Sequence, residues 1–201
     1  MQWTRDGAMV ALHDSTLDRT TDCTGTVQTK TLAEVQGCDA GSWRGAEWAG
    51  TRVPTMQEVV ALAQEHNLRI APEIKQDPVT RTELAAFAQV LSDAGMEGRT
   101  VVQSFSRTSL ELYRSLGTGV ALGYITLRST RDVATVTGTG ASVYIVDTAS
   151  ITRAQVRKFQ AARIKVWLYT VTDAANNRAA LSRYPNGVIT NDVVLTRSAL
   201  P

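Results

Sequence analysis

At 201 residues, 43% hydrophobic and 20% charged, the chain has ordinary globular composition and enough length for one sizeable core, so residues 1–201 read as a single domain. Lys and Arg number 21 against 19 Asp and Glu, a net charge of +2 with no basic block or stripe, so nucleic acid is not implied as a partner. No apolar run approaches the ~18 residues of a membrane-crossing helix, and the opening MQWTRDGAMV lacks the basic start and apolar stretch of a signal peptide.

The first expected strand is MVALHD (9–14), short, apolar and ending in polar residues. A long Thr- and Gly-rich stretch follows, about 15–54, whose Trp43 and Trp48 suggest packing. A loop of that length in a compact domain reads as a lid or small insertion. Thr55 with Glu58 forms a capping-box signature for a helix over 55–67. RIAPEIK (69–75) then reads as a strand and 81–94 as a helix ending near Gly95. Beyond it, strands are expected at 100–105, 120–125, 142–147, 164–171 and 187–190. Helices are expected at 106–117, from about 130, at 152–162 and at 173–183, with a short one closing the chain.

Six of the seven expected strands alternate with helices, and their apolar runs suit parallel strands covered on both faces. A doubly wound sheet and a (β/α)₈ barrel both fit. The chain falls short of the ~250 residues typical of a barrel, and one strand with its helix is missing from the count. No Gly-rich dinucleotide fingerprint follows a strand, which weighs against a Rossmann domain.

In either layout, chemistry belongs at the C-terminal ends of parallel strands. His13 and Asp14 end the first expected strand, a setting that suits a proton-transfer group. Glu73 and Lys75 lie two apart in a strand and share one face, with Ile74 on the other. A divalent cation and an anionic substrate are natural partners for such a pair, and a structural ion pair is the plainer alternative. His66 sits at a helix end and receives no function. Cys23 and Cys38 are either free thiols or, the reading preferred, a disulfide closing a short surface loop. Such a bridge would contribute roughly 3 kcal/mol and require an oxidising compartment.

At these residues the sequence resembles the glycerophosphodiester phosphodiesterase family. DGAMVALHDSTLDRTTDCTGTVQTKTLAEVQGCDAGSW, RVPTMQEVVALA and APEIK carry the resemblance, and the HD-x-x-L-x-R-T-T core is the most specific part. VVQSFS, LYTVTD and GVITND match later family segments more loosely. The resemblance implies a (β/α)₈ TIM barrel with a small insertion after its second strand. It also implies hydrolysis of glycerophosphodiesters to an alcohol and glycerol 3-phosphate, with Ca²⁺ or Mg²⁺ as cofactor and a small-molecule substrate as partner. By it, His13 is a general acid, Glu73 a metal ligand and Lys75 a phosphate-steadying cation. Tyr169 stands where the family usually has Trp, and Trp167, on the same face, compensates as part of the substrate-binding aromatic surface. Asn191 stands where a closing Asp is expected, with Asp192 next to it.

The family's opening H-R-G, E-N-T and E-x-D motifs find no match here. The expected fold is therefore an incomplete barrel lacking the first β/α unit and part of the second strand. A misplaced start codon is one expected origin. An extracellular or cell-envelope location is expected for a full-length parent. Two other functional expectations stand beside hydrolysis: an inactive or phospho-ligand-binding remnant, and a phospholipase D-like barrel acting on lysophospholipids.

Overall fold

The computed structural model describes residues 1–130 and 132–198. The chain divides into two compact units. One comprises Met1–Val102 with Ser115–Val120, the other Gln103–Arg114 with the chain from Ala121 onward.

The first unit opens with a hairpin. Strand β1 (Gln2–Trp3) pairs antiparallel with β2 (Met9–Val10), Val10 facing Gln2 and Met9 facing Trp3. The turn between them is closed by Thr4 and Ala8 and passes through Gly7 at φ +81°, a conformation that favours glycine. Residues 9–14 are thus not a parallel barrel strand as expected. The hairpin partner upstream claims Met9 and Val10, and Ala11 N–H turns instead to the Pro54 carbonyl.

The 15–54 insertion holds more regular structure than its composition suggests. It contains 3₁₀ turns at Val27–Thr29 and Ala46–Trp48 and helix α1 (Leu32–Gln36), capped by a Thr31–Glu34 capping box. Val10, Leu12, Leu17, Val27, Val35, Cys38 and Val53 form a small apolar core of its own. A Cys23–Cys38 disulfide closes this core, its Cα atoms 5.7 Å apart. Trp43 and Trp48 do not pack as expected: each remains about half exposed, at 52% and 51%. Their loop is held instead by polar bonds. The Asp39 carboxylate accepts from the backbone of Gly41, Ser42 and Gly50 and from the Ser42 hydroxyl. The Trp48 carbonyl presses so closely on Gly41 that a Cβ there would lie 1.8 Å away.

Helix α2 (Met56–Glu65) starts at the expected Thr55–Glu58 box and buries Met56, Val60 and Ala63. Helix α3 (Arg81–Asp93) starts at a second box, Thr80–Glu83, and buries Leu84, Phe87 and Leu91. Between them, residues 69–76 run extended but form no regular strand. Pro72 has no N–H to give a ladder. Pairing survives on either side of it: Ile70 bridges in parallel to Thr100, while the Met1 amino group donates to the Glu73 carbonyl and Lys75 N–H to that of Met1.

The second unit follows the expected alternation closely. Strands β3 (Val101–Ser104, whose first two residues belong to the first unit), β4 (Ala121–Thr126), β5 (Val143–Asp147), β6 (Lys165–Val171) and β7 (Gly187–Thr190) form one sheet in sequence order, with β4 to β7 paired in parallel. Helices α4 (Arg107–Arg114), α5 (Val133–Thr137), α6 (Arg153–Ala161) and α7 (Ala174–Leu181) fill the connections, and α8 (Val193–Ser198) follows β7. The sheet order never reverses, which separates this winding from a doubly wound fold, where ligands bind at the reversal point. Fully buried Val, Ile and Tyr residues in β5 show why it accepts a strand on each side.

Candidate active site

His13 emerges three residues past β2 with its side chain 69% exposed. Its Nδ1 lies 2.7 Å from Asp14 Oδ1. Arg19 grips the same carboxylate with two bonds: Nε–H donates to Oδ2 at 2.6 Å and Nη2–H to Oδ1 at 3.0 Å. These bonds, Arg19's first and His13's second, hold the Asp14 carboxyl well below the usual carboxylate range. An ionised carboxylate only accepts, so the shared proton resides on His13 Nδ1.

The spacing of the HD-x-x-L-x-R motif now has a physical meaning. Leu17 is fully buried in the insertion core and anchors the turn. The Thr21 hydroxyl and N–H both donate to the Leu17 carbonyl, and Thr16 bridges to Thr26. The turn so fixed returns Arg19 to Asp14. The motif is visible in the sequence, but the roles of Asp14 and Arg19 emerge only from the structure. The available signal was an Arg five residues after the acid, with an apolar anchor between.

Glu73 and Lys75 lie where the sequence places them, on one side of the extended 69–76 segment, with Ile74 buried on the other. Lys75 Nζ stands 3.5 Å from Glu73 Oε1, each side chain 20% exposed. The Met1–Trp3 segment lies between this pair and the His13 arm. It runs beside 73–76 on one flank and pairs with β2 on the other. Continuing from Val10, the chain passes the level of Met1 at Ala11 and reaches His13 two residues later. Where both pair with Met1–Trp3, a strand spacing of ~4.8 Å puts the β2 and 73–75 backbones about 10 Å from each other. No hydrogen bond or ion pair joins His13 to Glu73 or Lys75 among the described residues.

Trp167 and Tyr169 belong to the second unit and alternate with fully buried Val166 and Leu168 along β6, before a register shift brings Val171 into the core. Trp167 lies over its cross-strand partner Gly187, where a Cβ would come 2.9 Å from the indole Cδ1. The Tyr169 hydroxyl donates to the Thr126 carbonyl at 2.9 Å, and its ring meets Phe105 edge-on at 6.3 Å. Asp192 spends its carboxylate on the Leu195 N–H at the start of α8, and neighbouring Asn191 is exposed.

Among the described residues, a cation beside Lys75 would find the Glu73 carboxylate. Among the described residues, the one grouping of three metal-ligating types is Asp22, Cys23 and Cys38, and both its sulfurs are already joined to each other.

Comparison with known proteins decides the family. The profile of the Glycerophosphoryl diester phosphodiesterase family matches residues 1–195. The chain belongs to this family. A glycerophosphodiester phosphodiesterase of Caldanaerobacter subterraneus subsp. tengcongensis is 32% identical over 126 residues, covering 62% of this chain and 52% of that protein. One from Bacillus subtilis (strain 168) is 29% identical over 211 residues, covering 95% of this chain and 71% of that protein. Against the Caldanaerobacter protein and a further Bacillus subtilis relative, the chain spans about half the relative's length, 52% and 51%.

Solved structures of family members share the fold. An Oleispira antarctica phosphodiesterase in complex with the product sn-glycerol-3-phosphate superposes with a TM-score of 0.90 at 23% identity, covering 98% of this chain and 81% of that one. The glycerophosphodiester phosphodiesterase of Agrobacterium tumefaciens str. C58 gives 0.83 at 22% identity, covering 98% and 84%. The expected layout is thereby resolved to the TIM-barrel fold of this family.

Proposed function

We propose that the chain serves metal-assisted hydrolysis of a glycerophosphodiester, yielding an alcohol and glycerol 3-phosphate. One observation carries the reading. The strand β2 that leads into Asp14-oriented His13 and the segment that carries Glu73 and Lys75 flank the same Met1–Trp3 segment on opposite sides. In this reading the chain running on from β2 brings His13 to the same phosphodiester that the Glu73–Lys75 pair faces.

In this reading water attacks phosphorus and the P–O bond to the alcohol breaks. The departing oxygen takes the proton from His13 Nε2, and the incoming water's proton leaves to solvent. Lys75 lies beside the phosphate and offsets charge that grows on its oxygens. Glu73 fits one position of a divalent site. Mg²⁺ is commonly held by one or two carboxylates with substrate phosphate oxygens and water, and Ca²⁺ asks for more protein oxygens. When bound, the cation would polarise the phosphoryl group. The product named for the Oleispira enzyme supports the substrate class. The Cys23–Cys38 bond supports an oxidising location, extracellular or in the cell envelope.

The test is release of glycerol 3-phosphate from glycerophosphocholine with Mg²⁺ or Ca²⁺ supplied. Turnover that disappears in His13→Ala and in metal-free buffer supports the reading. Ligand binding without turnover under every metal overturns it in favour of a phospho-ligand-binding role.

A further inference from the structure

We propose that Arg19 is a positioning residue: by gripping both oxygens of Asp14 it fixes the carboxylate that holds His13 in the Nδ1–H tautomer, with Nε2 directed to the reacting oxygen. This rests on the reading of His13 as proton donor and says how the fold prepares it.

The imidazole is 69% exposed, and an exposed ring rotates freely unless something holds it. Asp14 is the holder, through its 2.7 Å contact with Nδ1. An aspartate with one hydrogen bond would itself swing. The guanidinium removes that freedom, because two bonds at 2.6 and 3.0 Å in a planar fork fix the carboxylate plane as well as its position. Lysine would supply the charge but not the plane.

Stability does not account for the arrangement. Arg19 is 58% exposed, and ion pairs at such sites contribute little to folding. Yet the loop that carries Arg19 is built with care. Leu17 is fully buried, Thr21 closes the turn onto it, Thr16 bridges to Thr26, and Gly25 N–H donates to Asp18. The Cys23–Cys38 bond ties the far side of this loop to α1's C-terminal end. A rigid loop ending in an exposed arginine aimed at one aspartate fits a positioning role.

The proton path follows. Asp14 accepts from Nδ1, and a carboxylate held ionised keeps that proton in place. The proton given to the leaving oxygen therefore departs from Nε2, and the imidazole left behind is the neutral Nδ1–H form. Among the described residues Nε2 has no hydrogen-bond partner, so it is open to substrate.

The chain has two histidines, His13 and His66, so a ¹⁵N-histidine spectrum of the whole chain contains two imidazoles, assigned with His66→Gln. At about pH 8, above the usual histidine range, the wild type should show His13 as a single Nδ1–H tautomer. Arg19→Gln should give a mixture of tautomers and a kcat about 10-fold or more lower at nearly unchanged KM. Arg19→Lys should not restore either, and Asp14→Ala should scramble the tautomer fully. Wild-type tautomer and kcat in Arg19→Gln would overturn the proposal. If His13→Ala keeps full turnover, the reading of His13 as acid falls, and the tautomer measurement still judges Arg19 on its own.

Discussion

Lys75 Nζ stands 3.5 Å from Glu73 Oε1, both side chains 20% exposed on one side of an extended segment whose other side buries Ile74. A half-buried pair of this kind is consistent with a structural bridge or with a site for a cation and an anion, and the two separate experimentally. If the pair is functional, Glu73→Gln should raise the half-saturating Mg²⁺ concentration, and Lys75→Met should lower kcat about 100-fold. Each single change leaves a half-buried charge without its partner, so both should lower Tm, and the double variant should recover part of the loss. Activity that follows Tm alone would mark the pair as structural.

Gly187 is required by its neighbour. A methyl group there would come 2.9 Å from the Trp167 ring. Gly187→Ala should destabilise by about 1–3 kcal/mol through overpacking and should shift the tryptophan emission. Trp167→Phe in the same chain should recover part of the stability, measured by denaturant unfolding. An unaltered midpoint in Gly187→Ala would show that the indole moves aside freely.

The Cys23–Cys38 bond spans 15 residues of sequence around the insertion core. Cys23→Ser with Cys38→Ser should cost about 3 kcal/mol, roughly 6–12 °C in Tm for a chain of this size. Loss should appear first as faster amide exchange in residues 15–40. A Tm unchanged by reductant would show that the apolar cluster holds the insertion alone.

Asp39 gathers the 41–50 loop. Its hydrogen bonds with Ser42, Gly50 and Gly41 hold its carboxyl far below the ordinary aspartate range. A depressed folded-state value stabilises the fold above the unfolded value of about 3.9 and loses that contribution as pH falls through and below it. Wild type should therefore exceed Asp39→Asn in Tm by a constant margin from neutral pH to about pH 5, and the margin should shrink below about pH 4. A margin independent of pH would contradict the assigned bonds.

How much of this was legible from sequence depends on where the information lies. The alternation after residue 100 was readable because the strands are short, mostly apolar runs and several helices open on a polar cap, such as Thr152 with Gln155, Asp132 and Asp173. The N-terminal region was misread at two points. Met9–Val10 looked like a core strand, but its partner is a hairpin arm two residues long, below what periodicity can register. Residues 69–75 looked like a regular strand, and Pro72 breaks the ladder that would make it one. Trp43 and Trp48 were expected to pack because Trp usually does. Their exposure follows from a loop held by Asp39 rather than by apolar contact. For the site, Glu73 and Lys75 were legible from strand period. The Asp14–Arg19 grip was legible only as a spacing, and the turn anchored by Leu17 that closes it rests on contacts that periodicity does not register.

The account depends most on His13 giving a proton to a departing alkoxide, and leaving-group dependence tests that directly. Initial rates of His13→Ala should be measured against wild type on a choline ester and on a p-nitrophenyl ester of glycerol phosphate. An alkoxide needs the proton and p-nitrophenolate hardly does. His13→Ala should therefore fall 10²–10⁴-fold on the first substrate, about the range for a general acid, and much less on the second. Equal losses on both esters, or none on the choline ester, would contradict the assignment.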